Sequence, residues 1–200
     1  MTISLQKGQR INLEKNGDQI HKVCVGVNWG AIDKKGFFGG NKKVAVDLDA
    51  SCATFSAEKK PLQLIYFGSL RGQGIQHSGD DLTGDMEGDD GLDNEVITVD
   101  LNAIPQDTDQ IVFVLNSFRG QDFKDIPFAS IRLYEGSQSR VDSVFATYDI
   151  ANDPKFHGAV SMVLGKLYKK EGKWKFTAFG ETTSDRKLEE TLQTVVNQYL

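Results

Sequence analysis

The amino-acid sequence predicts an all-β fold, an antiparallel β-sandwich of two sheets with a few short helices and a C-terminal helix. Three features predict it: many short apolar or period-two segments, turn residues between them, and little helical periodicity before the closing segment. Short strands without regular intervening helices build antiparallel sandwiches, not βαβ units.

In chain order, strands are expected at 20–27, 43–50, 63–67, 96–101, 110–116, 130–134, 143–148, 161–168 and 173–180. Asn16-Gly17-Asp18, Gly39-Gly40-Asn41, Glu135-Gly136-Ser137 and Glu171-Gly172-Lys173 supply turn chemistry. Segments 163–168 and 174–178 read as a hairpin closed by a loop that contains Gly172. A short helix is expected at 121–126, following Asp122. In 186–199, Leu188, Leu192, Val195, Val196 and Tyr199 recur at helical spacing, with Asp185 placed to cap that helix.

The 200 residues show no repeat and no Pro/Ser-rich linker, so one domain spanning 1–200 is expected. No stretch approaches the roughly 18 apolar residues of a membrane span. The first eight residues show no basic region leading into an apolar segment, so a cytoplasmic location is the expectation. Cys24 and Cys52 lie far apart among small apolar residues, the pattern of reduced, buried thiols.

The net charge is −5, but its distribution is uneven. Asp80, Asp81, Asp85, Glu87, Asp89, Asp90, Asp93 and Glu95 form an acidic run without Lys or Arg, and the rest of the chain carries +3. A nucleic-acid partner is not expected, because it calls for a basic stripe. The acids lie within 69–94 and its border, a glycine-rich interval poor in apolar residues. A loop of that length is functional or disordered.

Like charges about 5 Å apart cost roughly 3 kcal/mol per pair at an effective dielectric near 20. The loop therefore stays extended or closes around cations. Gly79, Gly84, Gly88 and Gly91 favour closure, since bends around an ion need positive φ and expose carbonyls. Asp47 and Asp49, two apart in an expected strand, point to one face while Val46 and Leu48 point to the other. Two adjacent carboxylates among Val and Ala call for a cation, or else for a Lys or backbone N–H partner each. Oxygen-rich donors suit Ca²⁺, Mg²⁺ or Mn²⁺, and the scattered His21, His77 and His157 argue against zinc. The spacing from Asp85 fails the EF-hand pattern, with Asp90 where glycine belongs and Val96 where glutamate belongs. No phosphate-cradling loop and no G-x-S-x-G are present. His77 beside Ser78 is sequence proximity only, and it reads as exposed or as support for the loop.

These residues resemble the TerD family of tellurium-resistance proteins over almost the whole chain. The resemblance is carried by Ser4-Leu5-Gln6-Lys7-Gly8, Gly26-Val27-Asn28-Trp29, Val46-Asp47-Leu48-Asp49-Ala50-Ser51, His77-Ser78-Gly79-Asp80-Asp81-Leu82-Thr83-Gly84 and Gly88-Asp89-Asp90. Asn94-Glu95-Val96-Ile97-Thr98-Val99-Asp100-Leu101, Phe128-Ala129-Ser130-Ile131-Arg132 and Gly172-Lys173-Trp174-Lys175-Phe176 extend it. It implies a two-sheet sandwich binding one or two Ca²⁺, commonly two, with Asp47, Asp49, Asp80, Asp81, Asp89, Asp90 and Glu95 as ligands. Gly79 and Leu82 would add backbone carbonyls. It also implies a cytoplasmic, non-catalytic stress role. The partners implied are other stress and tellurium-resistance proteins, in a complex at the inner membrane surface. Two departures stand out. Gly30 follows Trp29 where many members carry aspartate, and Gly91-Leu92-Asp93-Asn94 lengthens the loop before Glu95. The competing functions are a metal-dependent phosphoesterase using the same acids, and thiol chemistry on tellurium oxyanions at Cys24 and Cys52.

Overall fold

Alternating apolar residues give this chain strands with one face to bury, and two sheets bury those faces against each other. The computed structural model describes residues 3–4, 9–15, 18–35, 40–151 and 153–200. The opening block 5–8 and parts of the turns at Asn16-Gly17-Asp18 and Gly39-Gly40-Asn41 lie outside the described residues.

The first strands are β1 (Ile3–Ser4), β2 (Arg10–Asn12), β3 (Glu14–Lys15), β4 (Asp18–Gln19), β5 (Lys22–Trp29), β6 (Ile32–Lys35), β7 (Asn41–Val44) and β8 (Leu48–Phe55). Then come β9 (Pro61–Ile65), β10 (Arg71–Gly72), β11 (Ile75–His77), β12 (Glu95–Asp100) and β13 (Gln110–Ser117). The last are β14 (Ala129–Ser137), β15 (Arg140–Asp149), β16 (Ser161–Lys170) and β17 (Lys173–Thr182), closed by helix α1 (Leu188–Gln198). One sheet runs β1-β15-β14-β5-β12-β11-β10 and the other β2-β17-β16-β13-β8-β9, with β3-β4 and β6-β7 as separate hairpins. Between the two sheets lies the main core, with Trp29, Leu48, Ile97, Phe113 and Leu115 wholly enclosed. The outer face of the second sheet presents Ala53, Phe55, Val112, Val114 and Val163, which α1 covers with Val195, Leu188 and Leu192.

The antiparallel sandwich and its closing helix match the expected class, and the differences are local. The strand expected at 43–50 is broken. Val44 ends β7 and Leu48 begins β8 because other groups take the backbone between them. Thr83 O accepts from Val46 N, Trp29 Nε1 donates to Val46 O, and Gln121 Nε2 donates to Ala45 O. Asp185 does not cap α1: Lys187 occupies the N-cap position without a side-chain hydrogen bond. The short helix after Asp122 is a 3-10 turn at Phe123–Asp125, which Asp122 caps. The β16–β17 hairpin is tighter than expected. Lys170 pairs with Lys173, and Glu171 and Gly172 both take positive φ, the two-residue turn whose twist matches the strands.

Candidate metal centre

At one corner of the sandwich the sheets close on each other, and that closure positions the acids. β9 begins to pair with β8 only at Cys52, so Ala50 has backbone groups without a strand partner on that side. Glu95, wholly buried on β12, accepts from Ala50 N at 2.8 Å and from Asp81 N at 3.2 Å. His77 Nε2 lies 3.0 Å from Ala50 O and 3.4 Å from Glu95 Oε2, while its Nδ1 accepts from Gly79 N at 3.1 Å. Both ring nitrogens are thus used, with the proton on Nε2. His77 is a buried strut, not an exposed residue. Glu95 likewise spends its oxygens on protein donors, and fixes the base of the acidic loop.

Onto that base the fold brings a first acidic group, Asp47, Asp49 and Asp80, with candidate ligand oxygens within 4.8 Å of one another. Asp47 and Asp49 are buried and Asp80 is exposed. Arg119 Nε stands 3.3 Å from Asp47 Oδ2, but Asp47 Oδ1 is buried and has no hydrogen-bond partner. Burial pushes the Asp47 carboxyl above its ordinary range, against the pull of Arg119. For Asp49, burial and the charges of Glu95, Asp47 and Asp80 push the carboxyl up to about 7. A group held together against such cost is one that a cation stabilises.

A second group, Asp85, Asp89 and Asp90, lies further along the loop, again with oxygens within 4.8 Å. Asp85 is half-buried and the other two are exposed. Asp85 reaches this place through the backbone: its N donates to Trp29 O at 2.9 Å and its O accepts from Ala31 N at 3.2 Å. Asn94 ties the group down, its Oδ1 accepting from Trp29 N at 2.7 Å and its Nδ2 donating to Asp85 Oδ1 at 3.0 Å. Asn28 Nδ2 donates to Asp89 Oδ1 at 2.9 Å, leaving Asn28 Oδ1 buried and unpartnered.

Of the residues expected at the site, Asp81 lies outside both groups. Burial works against its ionisation, but Thr83 N and Gly84 N, both at 2.9 Å from Oδ1, outweigh it and hold the carboxyl below the ordinary range. That turn needs Gly84, at φ +66, since a Cβ there would lie 2.5 Å from the Trp29 ring. Gly79 gives its N–H to His77, and the Leu82 side chain is exposed. Asp93 is an anchor: Arg132 Nε lies 2.7 Å from its Oδ1, and its carboxylate occupies the space that a Cβ on Gly26 would fill. Gly30 fits for a related reason, as a Cβ would lie 2.4 Å from the Phe128 ring. Asp85, Asn28 and Asn94 were not among the expected ligands. Cys24 and Cys52 are buried, and burial pushes both thiols up, away from thiolate chemistry.

A TerD domain family model matches residues 1–199. The chain belongs to the TerD family. The stress response protein SCP2 of Bacillus subtilis is 37% identical over 98% of this chain and 100% of its own. The tellurium resistance protein TerZ of Serratia marcescens is 32% identical over 98% of this chain and 97% of its own. The TerD fold is also seen in a crystal structure of a homologue of telluride resistance protein (TerD) from Streptomyces coelicolor A3(2). That structure has a TM-score of 0.66 at 16% identity and covers 84% of this chain and 94% of its own. No described helix is long and apolar enough to cross a membrane.

Proposed function

We propose that this TerD-family chain is a non-catalytic, calcium-binding stress protein of the tellurium-resistance type, taking two Ca²⁺. The observation that carries the reading is the Asp47–Asp49–Asp80 group. Its ligand oxygens converge, two of its acids are buried, and Asp47 Oδ1 has no partner. One half-exposed Arg119 beside Asp47 does not balance two buried carboxylates, and a cation would supply the missing charge. All its donors are oxygens and His77 has no nitrogen to give, which suits a hard cation such as Ca²⁺ over zinc. Asp47, Asp49 and Asp80 would hold one ion. Asp85, Asp89, Asp90 and the Asn28 carbonyl would hold the second, with the Gly79 and Leu82 carbonyls as further donors. The bound charge would neutralise the acids and fix the loop in one shape, giving partners a surface to read. Those partners would be other stress and tellurium-resistance proteins, in a cytoplasmic complex at the inner membrane surface. The names of the relatives support the stress and tellurium-resistance part of this reading.

The test is calorimetric titration of chelator-treated protein with Ca²⁺, with Mg²⁺ as competitor. Saturable binding that Asp49→Asn weakens at least tenfold is the expected result; a folded protein that takes up no Ca²⁺ would overturn the reading. Turnover of a generic phosphodiester with Mg²⁺ or Mn²⁺, lost in Asp47→Asn, would overturn its non-catalytic half.

A further inference from the structure

The acidic loop and the β6–β7 hairpin leave the sandwich at the same corner. Ala31 N, just before β6, donates to Asp85 O at 3.2 Å, and Val46 N, just after β7, donates to Thr83 O at 3.1 Å. Both feet of the hairpin are thus tied to the loop, so a partner that meets one meets the other.

Their charges are opposite. The hairpin carries Lys34, Lys35, Lys42 and Lys43, all exposed. Lys43 pairs with Asp33 at 3.1 Å, but Lys34 and Lys42 stand directly opposite each other in the ladder. Like charges so placed cost stability unless an anion lies over them. The loop, for its part, exposes apolar side chains between its acids. Leu82 is 50% exposed, Met86 37% and Leu92 60%, and none joins a core cluster of the described residues. Met86 follows Asp85, and Leu92 N donates to Asp90 Oδ1, so both flank the second acidic group. Aliphatic side chains gathered on so polar a loop mark an interaction surface.

That second group is also short of ligands. Beside Asp89, Asn28 is only 7% exposed and keeps its Oδ1 buried and unpartnered, a donor oxygen in waiting. With Asp85, Asp89 and Asp90 it falls short of the roughly six to eight oxygens that Ca²⁺ takes. Asp89 and Asp90 are exposed, so the group is open on the solvent side, where oxygens from a partner can complete the set.

We propose that this corner docks on an anionic phospholipid surface when its acids carry their cation. The proposal rests on the calcium reading above and names the partner of the second site. Without the cation, the carboxylates of the loop repel a phosphate-bearing surface. Once they are neutralised, lipid phosphate oxygens fill the open side of the second group and the hairpin lysines meet neighbouring headgroups. Leu82, Met86 and Leu92 then enter the boundary between headgroups and acyl chains. Aliphatic side chains suit a bilayer better than a single-stranded nucleic acid, whose bases stack on aromatic rings.

The experiment is co-sedimentation of the full chain with vesicles of two parts phosphatidylethanolamine to one part phosphatidylglycerol, in Ca²⁺ and in chelator. Vesicles of phosphatidylcholine alone are the control. Binding to the anionic vesicles in Ca²⁺ is expected to be at least tenfold tighter than in chelator or to the control, and to weaken with salt. Leu92→Ser, a change at an exposed side chain, should weaken it roughly tenfold and leave the calcium titration unchanged. Lys34→Glu combined with Lys42→Glu should weaken it roughly a hundredfold. Normal calcium uptake without vesicle binding overturns the docking and leaves the calcium reading intact. Equal binding in chelator, or binding that neither variant weakens, also overturns the proposal. Calcium-dependent binding to heparin as tight as to the vesicles, and unchanged in Leu92→Ser, makes the occupant a soluble polyanion and overturns it too. Failure to take up calcium overturns both readings, and the calcium titration reports that separately.

Discussion

The two acidic groups differ in what holds them. Asp47 and Asp49 stand at the start of a central strand, buried, with their positions set by β8 and by the Glu95–His77 strut behind it. Asp89 and Asp90 stand in the open and are arranged by the loop itself: Asp89 Oδ1 accepts from Gly91 N and Asp90 Oδ1 from Leu92 N, both at 2.8 Å. The first group is therefore prearranged at a cost in the cation-free protein, while the second is cheap to keep and must be tightened by its ligand. Prearranged charge favours affinity, and a mobile, solvated group favours exchange. On this account the first site is the tighter, structural one and the second the weaker.

The strut is the place to break the comparison most severely. Glu95→Ala leaves Ala50 N–H and Asp81 N–H without their acceptor in a buried corner, and should cost about 3 kcal/mol of stability, read by urea denaturation in chelator. Calcium at 100-fold over Kd should add about 2.7 kcal/mol to the wild type. Asp49→Asn should abolish most of that gain and Asp89→Asn little of it, as followed by Tm.

Acidity sharpens the contrast. The Asp49 carboxyl is raised from an ordinary 3.8 to about 7, so the folded chain keeps a proton that the unfolded chain loses. Its contribution makes the cation-free fold less stable as pH rises from about 4 to about 7. In chelator, Asp49→Asn should then be more stable than wild type at pH 7.5, with the advantage shrinking toward pH 5. The smallest effects belong to the exposed region: Asp89→Asn and Leu82→Ser should each change stability in chelator by less than about 0.5 kcal/mol.

Much of this was legible in the sequence. Period-two runs located the long strands, and the Asp-x-Asp spacing placed Asp47 and Asp49 side by side. Two-residue strands such as β10 carry no period to detect. The break at 45–47 was hidden because its cause is distant: Thr83, Trp29 and Gln121 take the backbone groups that a ladder would use. Counting carboxylates found the loop but passed over Asn28 and Asn94, whose amide oxygens carry no charge to mark them. Asp85 joins its group through a bridge to Gly30, a contact no linear spacing encodes. The family resemblance implied Asp81 and Glu95 as ligands, and no linear spacing shows that both also accept hydrogen bonds from the backbone around them.

The most direct test of the ranking is an amide NMR titration of the chelated protein with Ca²⁺. The account predicts that the signals of Asp47, Asp49 and Ala50 shift first and in slow exchange, followed at higher Ca²⁺ by Asp85–Gly91 in fast exchange. Loop signals that saturate before those of β8, or β8 signals that never move, would contradict it.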